Sequence, residues 1–478
     1  MDSLESFLGI HTQIKLKMKI AIIGSGWSGL SCAHKLKELN PETQITIFDS
    51  AQNAGGRAKG ICWKLSDRDI LFVDNGQHFI IGAYKNTLAL LKKTGCPSWS
   101  ENTFTWNFSK IDEKEKIYNR FELNLRNFFS QFFFKKNRWP KRWYLFLILS
   151  VLIAKFKFVN DTGSARAWLL RSFQPKQLQE VFWRPFIEST TNTDWNEASA
   201  KSVITILKEC SINFPRSIMI LHPMENLSKN GIDYIVTNLK NSGVRFFFGK
   251  TITSVDVKNN HMACIDNQKI IYDKFDKIIL ALPAHATKKI WAKSNFSETN
   301  ESKKWELQKT RGINTLWIAL PKNFKRKREI LSNNYWEIIK LSKYHDESLF
   351  VVIERPFYQS RMVLSVVQSA INFKEEKNLK KNINKIQFVA NTYLKSMFGL
   401  SLQDCEYKLI SEKKATIACL NNSSDKEELW GNIHTGKDNI WRCSDDCTYG
   451  FPSTIESAVV SGIDVAKQIM IKVNRERH

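Results

Sequence analysis

The strongest constraint on the fold is a glycine-rich turn near the N-terminus. Residues 19–23 (KIAII) form an apolar run rich in β-branched side chains, which is typical of a buried strand. The turn 24–29 (GSGWSG) follows, and residues 28–39 then place apolar side chains at helical spacing. A second strand is predicted over 44–48, and Asp49 ends it. This order of strand, turn, helix, strand and acid is typical of a βαβ dinucleotide-binding unit.

Each glycine of the turn has its own physical role. Gly24 permits the tight turn, Gly26 lacks a Cβ and lets a pyrophosphate approach the backbone, and Gly29 lets the helix pack against the strand. The amides and the positive dipole end of the helix then face the phosphates. We therefore predict phosphate contacts along the turn and ribose contacts at the acid, from Gly24, Ser25, Gly26, Trp27, Gly29, Asp49 and Ser50.

A second glycine pair lies shortly after the acid. Gly55 and Gly56 bring the backbone against a dinucleotide, and Arg57 offers its guanidinium to a phosphate. A simple NAD dehydrogenase does not need this element. The combination resembles the FAD-containing amine oxidase and phytoene desaturase superfamily. The resemblance implies non-covalently bound FAD and an α/β fold, in which a discontinuous Rossmann-like FAD-binding domain of the GR2 type carries an inserted α+β substrate-binding lobe.

The order of the predicted elements suggests how the chain divides between these two parts. We assign residues 18–90, 230–300 and 425–474 to the FAD-binding domain, and residues 91–229 and 301–424 to the substrate-binding lobe. The patterns predict mostly helix over 99–229, a single strand within 271–282, and alternating strands and helices from 301 to about 420.

The C-terminal segment adds a third cofactor motif. A short strand (NIW) leads to Asp445, and a helical pattern begins near Thr454 and Ile455. In the superfamily the last strand ends in Gly-Asp, whereas this chain has Ser444 in place of the glycine. The resemblance implies that Asp445 binds the ribityl or phosphate region and that the helix start lies near the flavin. It also implies a backbone contact for the adenine at Ile252.

A further segment narrows the resemblance. Residues 73–78 (VDNGQH), followed by 82–84 (GAY), are similar to the squalene-associated members of the superfamily, the bacterial hydroxysqualene dehydroxylases. Similar residues recur at 182–185, 221–223, 412–416 and 450–456. The resemblance implies reduction of hydroxysqualene to squalene, within hopanoid and squalene biosynthesis, by hydride from reduced FAD, with NAD(P)H as the external electron donor. Candidate residues in this segment are Asn75 and Gly76 for the cofactor, and His78 and Gln77 for catalysis at the leaving hydroxyl.

Two other enzyme classes and one binding class compete with this interpretation. An amine oxidase needs an aromatic cage beside the flavin, for which Tyr449 is the one aromatic residue that the motifs place there. A carotenoid desaturase or isomerase fits an aromatic-rich lobe equally well. A formal net charge of +24 suggests a nucleic-acid-binding protein as a third alternative. We do not expect one, because the cations flank an apolar run and do not form a basic face with aromatics for stacking.

That apolar run suggests a membrane surface as partner. Residues 143–154 (WYLFLILSVLIA) are too short to span a bilayer, and cations flank them and Phe132–Phe134 on both sides. Such a segment suits partial insertion into an anionic leaflet, although a buried helix of the lobe has the same pattern. The scattered cysteines indicate a reducing compartment, and no zinc site or other metal site is predicted. We expect a cytoplasmic protein, peripheral at the inner face of the cytoplasmic membrane, that acts on an apolar isoprenoid.

Overall fold

A computed structural model gives the fold of the chain. It describes residues 17–102, 105–112, 116–124, 140–156, 162–258, 261–294, 296–322, 324, 335–342, 348–358, 361–373, 376–420 and 430–476. The predicted apolar and basic residues 132–138 and Lys157 lie outside this part of the chain.

The described residues form strands and helices that alternate along the chain. The strands are β1 (Lys19–Ile23), β2 (Gln44–Asp49), β3 (Gly60–Lys64), β4 (Ile70–Asp74), β5 (Ile80–Ile81), β6 (Ser100–Asn102), β7 (Thr105–Ile111), β8 (Ile117–Asn124), β9 (Ile220–His222), β10 (Arg245–Phe248), β11 (Ile252–Lys258), β12 (His261–Asp266), β13 (Ile271–Phe275), β14 (Lys277–Leu280), β15 (Thr310–Ala319), β16 (Tyr335–Leu341), β17 (Leu349–Tyr358), β18 (Arg361–Ile371), β19 (Glu406–Ile417) and β20 (Ile440–Arg442). The α-helices are α1 (Trp27–Leu39), α2 (Lys85–Lys93), α3 (Lys141–Phe156), α4 (Ala165–Arg171), α5 (Lys176–Leu178), α6 (Arg184–Thr191), α7 (Ala200–Ser211), α8 (Asp233–Asn241), α9 (Ala284–Lys293), α10 (Asn300–Leu307), α11 (Glu376–Phe398) and α12 (Ile455–Arg475). A π-helical turn, Gln179–Trp183, leads into α6.

Five parallel strands form the first sheet, in the order β10-β2-β1-β14-β20. Their apolar side chains are buried on both faces, as is usual when helices cover a parallel sheet. On one face α1 and α12 pack so closely that a Cβ on Gly462 would lie 2.2 Å from the carbonyl oxygen of Ser28. On the other face lie α9, α10 and the antiparallel sheet β11-β12-β13. The first sheet is therefore a Rossmann-like layer built from distant parts of the sequence.

A seven-stranded mixed sheet forms the second layer system, in the order β19-β15-β18-β17-β16-β7-β8. One face packs on α11, where Tyr393 is fully buried. The opposite face carries Trp317, Trp336 and Ile353, which pack against β4 and the segment that follows it. This segment, residues 75–79, therefore lies between the two large sheets, where a ligand bound to the first sheet could meet residues of the second.

The structure confirms the α/β fold class and corrects parts of the pattern. All five strands of the parallel sheet fall within the three ranges assigned to the cofactor domain, although the exact domain boundaries remain a prediction. The prediction of mostly helix over 99–229 was wrong in part, because β6 to β9 lie there. The single strand predicted within 271–282 is two strands, β13 and β14, which belong to different sheets. A continuous apolar run does not reveal where a chain passes from one sheet to the next.

Candidate functional site

The first site element is the turn between β1 and α1. Gly24 has a φ of +110°, and its amide donates a hydrogen bond of 2.7 Å to the carbonyl oxygen of Phe48. A Cβ at Gly24 would lie 2.3 Å from the carbonyl oxygen of Ala281, and one at Gly29 would lie 2.1 Å from that of Gly24. Both glycines are thus required by the protein itself, as the sequence predicts for a tight turn and a closely packed helix.

Gly26 is different, because no protein packing requires it to be glycine. Its φ of −74° suits any residue, and the nearest atom to a Cβ there would be the Cα of Gly56, at 3.8 Å. Gly26 and Gly55 also form an isolated parallel β-bridge, which sets the two glycine motifs side by side. No side chain caps α1, so the first amides of the helix are available to an anionic group.

Asp49, the acid predicted to bind ribose, is hydrogen-bonded to this turn. The backbone amide and the hydroxyl of Ser25 donate to Oδ2 of Asp49 at 2.7 and 2.6 Å, and the amide of Ala51 donates to Oδ1 at 2.8 Å. The amide of Lys250 donates to the carbonyl oxygen of Asp49, which brings the start of β11 and the buried Ile252 to the same corner. Ser50 is exposed beside the acid.

The glycine-arginine motif meets the C-terminal motif directly. Arg57 forms an ion pair with Asp445 and donates a second hydrogen bond, of 3.3 Å, to the carbonyl oxygen of Ala415. Asp445 is buried and also accepts from the hydroxyls of Ser444 and Ser453, at 2.8 and 2.6 Å. Burial disfavours the charge of Asp445, but its attraction to Arg57 and these hydrogen bonds lower its pKa overall. Two residues predicted as cofactor ligands from opposite ends of the sequence are therefore in contact.

The segment after β4 joins this cluster. The side-chain nitrogen Nδ2 of Asn75 donates to the carbonyl oxygen of Arg57 at 2.8 Å and to Oε1 of Glu412 at 3.0 Å. Nε2 of His78 lies 3.3 Å from Oδ1 of Asn75, and a Cβ on Gly76 would lie 3.2 Å from the same ring nitrogen. Burial lowers the pKa of His78 to about 4. His78 is consequently neutral at pH 7, where it can donate or accept a hydrogen bond but does not carry a proton as imidazolium.

Gln77 connects the same segment to the seven-stranded sheet. Its Oε1 accepts a hydrogen bond of 2.9 Å from the hydroxyl of Ser365 on β18. Its Nε2 is buried and has no hydrogen-bond partner among the described residues. A buried amide without a partner is costly, so this nitrogen is a reasonable contact for a bound polar group.

A pocket of about 520 Å³ lies beyond Ser365 on the same face of the sheet, because Val367, two residues along β18, lines it. The strands contribute an apolar floor, and α6 and α11 contribute most of the polar groups. The apolar lining comprises Pro185, Ile338, Leu349, Val351, Val367 and Ile371, and the charged lining comprises Arg184, Glu188, Asp194, Lys381 and Lys385. Its volume is in the range of roughly 300–1,000 Å³ that is usual for small-molecule sites.

Hydrogen bonds link the rim of this pocket to the cofactor motifs. Oδ1 of Asn192 accepts from the amide of Ala370, which lines the pocket, at 2.5 Å. Nδ2 of Asn192 donates to the hydroxyl of Thr416 at 2.9 Å, and Thr416 follows the residue whose carbonyl oxygen binds Arg57. Asn192 and Ala370 both have positive φ, at +48° and +59°. Such backbone strain is common where surrounding structure fixes a functional site.

Comparison with known proteins assigns this arrangement to a family. The family model described as "Flavin containing amine oxidoreductase" matches residues 27–378, which is well over half of the chain. The chain belongs to this family. Membership implies a flavin, FAD, as cofactor and an oxidoreductase as the general activity.

Individual relatives share only part of the chain. A hydroxysqualene dehydroxylase from Zymomonas mobilis is 24% identical over 281 residues, which cover 55% of this chain and 61% of that protein. A 15-cis-phytoene desaturase from Synechococcus elongatus is 32% identical over 108 residues, covering 22% of this chain and 21% of that protein. The matches therefore span less than two thirds of these relatives.

Solved structures extend the likeness of fold over nearly the whole chain. An oxidoreductase from Methanosarcina mazei superposes with a TM-score of 0.69 at 15% identity, over 94% of this chain and all of that one. At this identity the match concerns the fold alone.

The residues present fit an FAD molecule. A diphosphate could approach the open Cβ position of Gly26 and the uncapped start of α1, where amides point outward. Asp49 could accept hydrogen bonds from ribose hydroxyls, and Arg57 could offer its cation to a phosphate. Thr454 caps α12 through a capping box with Ser457, and the positive end of this helix dipole can stabilise charge on a reduced ring. Ile455 is buried in the first turn of α12.

Sequence reasoning missed several residues of the cluster. Ser365 lies in no motif and Ser453 lies within the similar stretch 450–456, but no sequence pattern identifies the partner of either hydroxyl. Glu188 lies in no recognisable motif, although residues 182–185, which are similar to the family, include the first two residues of α6. The buried ion pair of Arg442 and Asp446, at 2.7 Å, flanks Asp445 and was likewise not predicted. An arginine within a short apolar strand is a signal that could have found it, because a buried cation requires a partner.

Proposed function

We propose that this protein is an FAD-dependent oxidoreductase that reduces hydroxysqualene to squalene. The similarity to a hydroxysqualene dehydroxylase supports this substrate, as do the segment 73–78 and the apolar floor of the pocket. The observation that carries the proposal is a buried carboxyl group in that pocket, because replacing a hydroxyl by hydrogen consumes a proton as well as a hydride. When bound, FAD in its reduced form supplies the hydride.

Glu188 is the residue that we assign as the proton donor. It lines the pocket, is 9% exposed, and receives a hydrogen bond of 3.0 Å from Nε of Arg184. Burial raises its pKa to about 7, and Asp194 adds to this effect while Arg184 opposes it. A substantial fraction of Glu188 is thus protonated at neutral pH, as a general acid requires. His78 is neutral there and cannot fill this role as an imidazolium.

The remaining residues have positioning roles in this proposal. The apolar residues of the pocket floor would hold the hydrocarbon chain. Protonation by Glu188 lets the allylic carbon–oxygen bond break and release water, and the hydride then completes the product. His78 and the unpartnered Nε2 of Gln77 remain candidates for orienting the hydroxyl by hydrogen bonding.

The proposal also covers the electron donor and the place of action. Reduced FAD must be regenerated, and we propose NAD(P)H as the external donor, which binds transiently because the sequence has no second G-x-G-x-x-G motif. We place the enzyme on the inner face of the cytoplasmic membrane, where its substrate would be dissolved. Within the described part of the chain, no helix has the length and apolar character needed to cross a bilayer.

The test is turnover of hydroxysqualene by purified protein with NAD(P)H or dithionite, with the hydrocarbon product identified by mass spectrometry. We expect squalene from the wild type and a loss of about 100-fold or more in kcat for Glu188→Gln, because general acids typically contribute that much. Activity of the wild type should fall as pH rises above about 7, because Glu188 then loses its proton.

Glu209→Gln is the matched control. The Glu209 side chain is 34% exposed, forms an ion pair of 3.2 Å with Lys85, and does not line the pocket. We expect this variant to retain wild-type turnover and the same pH profile. Absence of squalene from every wild-type reaction would refute the proposed function, whereas squalene formation by Glu188→Gln at the wild-type rate would refute the proton donor alone.

Carotenoid desaturation is the second candidate, and the similarity to the phytoene desaturase supports it. Desaturation removes hydride to the flavin and needs no protonated leaving group, so it should survive Glu188→Gln. Conversion of phytoene in the same assay would favour it. An amine oxidase has less support, because Tyr449 is 57% exposed and contacts Trp430 and Lys201 instead of enclosing a cavity.

A further inference from the structure

Helix α3 is apolar on two opposite sides. One side is buried in the lobe against α4, α6 and α7, and it includes Trp143, Tyr144, Leu147, Ile153 and Ala154. The other side is exposed to solvent, with exposed fractions of 40–59% at Leu145, Ile148, Leu149, Leu152 and Phe156. These positions are spaced by three or four residues and so form one stripe along the helix. Among the described residues, the first side packs into the core and none covers the second.

Two more exposed apolar side chains lie near the end of α4. Nε2 of Gln174 donates a hydrogen bond of 3.3 Å to the carbonyl oxygen of Phe146, which holds the end of α4 beside α3. Leu170, in the last turn of α4, and Phe173, just after it, are 56% and 80% exposed. Phe173 also has a φ of +54°, which is unfavourable for a bulky residue. The backbone therefore accepts strain at a position where it presents a phenyl ring to the outside.

The helices that carry this apolar surface also carry exposed basic residues. These are Arg142 and Lys155 on α3 and Arg166, Arg171 and Lys176 on the two helices that follow. The sequence of α3 contains no acidic residue. A second copy of the chain would bring the same cations against them, and the net charge of +24 would oppose such a contact. An anionic and apolar partner suits both features at once, and a bilayer with acidic headgroups provides both in one surface.

We propose that the exposed side of α3, together with Leu170 and Phe173, docks on the surface of an anionic lipid bilayer. The helix lies along the interface with its apolar stripe among the acyl chains, and the basic residues contact the headgroups. α3 has 16 residues, which is short of the roughly 20 needed to span, so insertion stays within one leaflet. This inference deepens the proposed function, because it rests in part on a substrate that is dissolved in the membrane.

The test is flotation of the full-length protein with vesicles of phosphatidylcholine alone or mixed with phosphatidylglycerol. We expect binding to the mixed vesicles that weakens with added salt. The double variant Leu149→Ser/Phe173→Ser should bind them about tenfold or more weakly, because two large side chains no longer leave water. Leu307→Ser is the matched control, since Leu307 is 62% exposed on α10, and it should bind like the wild type.

Both variants replace exposed side chains, so the wild-type melting temperature and turnover in detergent should be retained. Wild-type protein that fails to float with phosphatidylglycerol vesicles would overturn the inference, as would equal binding by the double variant. A lipid-independent dimer in size-exclusion chromatography that the double variant abolishes would assign the surface to a second copy and also overturn it. The assay needs no turnover, so a wrong substrate does not affect its outcome.

Discussion

Replacement of Gly26 by alanine separates cofactor binding from folding. The backbone at Gly26 suits alanine, and the nearest atom, the Cα of Gly56, would be 3.8 Å from the new methyl group. Gly→Ala at a compatible position stabilises a protein by about 0.4–1 kcal/mol through the unfolded state. The apoprotein of Gly26→Ala should therefore melt at the wild-type temperature or slightly above it.

Binding of FAD should respond in the opposite direction. The methyl group would occupy the space through which a diphosphate reaches the amides of α1. If two charge-assisted hydrogen bonds are lost, at about 1.5–3 kcal/mol each, the binding free energy falls by roughly 3–6 kcal/mol. This corresponds to a rise in Kd of about 100- to 10,000-fold.

The assay is titration of apoprotein with FAD, followed by flavin absorbance or fluorescence, with a parallel thermal melt. Gly231→Ala is the matched control, because a Cβ there would make ordinary contacts of 3.5 Å with Leu91, Trp27 and Trp99. We expect this control to bind FAD like the wild type. An unchanged Kd for Gly26→Ala, with an intact fold, would show that the phosphates do not lie against this backbone.

Two further predictions concern buried groups beside the site. Burial raises the pKa of Asp74 from 3.8 to about 7, although the backbone amide of Leu227 donates a hydrogen bond to its carboxyl group. Between pH 3.8 and about 7, the folded chain therefore retains a proton that the unfolded chain releases. The stability that this proton contributes should be lost as pH rises through this window. Asp74→Asn should therefore flatten the pH dependence of the free energy of unfolding, measured by urea titration at several pH values. The same pH dependence in the variant as in the wild type would contradict the raised pKa. His78→Ala should lower kcat with hydroxysqualene while the protein retains its flavin spectrum, and unchanged turnover would remove His78 from the mechanism.

The cofactor end of the fold was readable from the sequence because its signals are local. The strand at 19–23, the helix to residue 39 and the strand ending at Asp49 have the predicted bounds to within one residue. Gly24 and Gly29 must be glycine for the steric reasons that the motif implies, because a Cβ at either position would collide with a backbone carbonyl oxygen. Where a residue type is fixed by contacts within a few positions of it, the pattern alone is informative.

The substrate-binding lobe was harder to predict from the sequence, because its contacts join residues that are distant in the chain. β18 lies between β15 and β17, and the periodicity of a single strand does not predict which strands pair with it. The pocket brings α6 to β18 and α11, so Glu188 acquires its environment from chain segments that follow it by more than 150 residues. The contact of Gln77 with Ser365 has the same origin. Residue types alone do not determine such pairings, which depend on the packing of the two sheets.

The most direct test of the central claim is the anaerobic reaction of chemically reduced protein with hydroxysqualene, observed at the flavin absorbance and by mass spectrometry. The proposed function predicts that the absorbance of oxidised flavin returns on addition of hydroxysqualene, with one squalene formed per flavin. A flavin that stays reduced in the presence of hydroxysqualene, or a protein that binds no flavin after reconstitution, would contradict it.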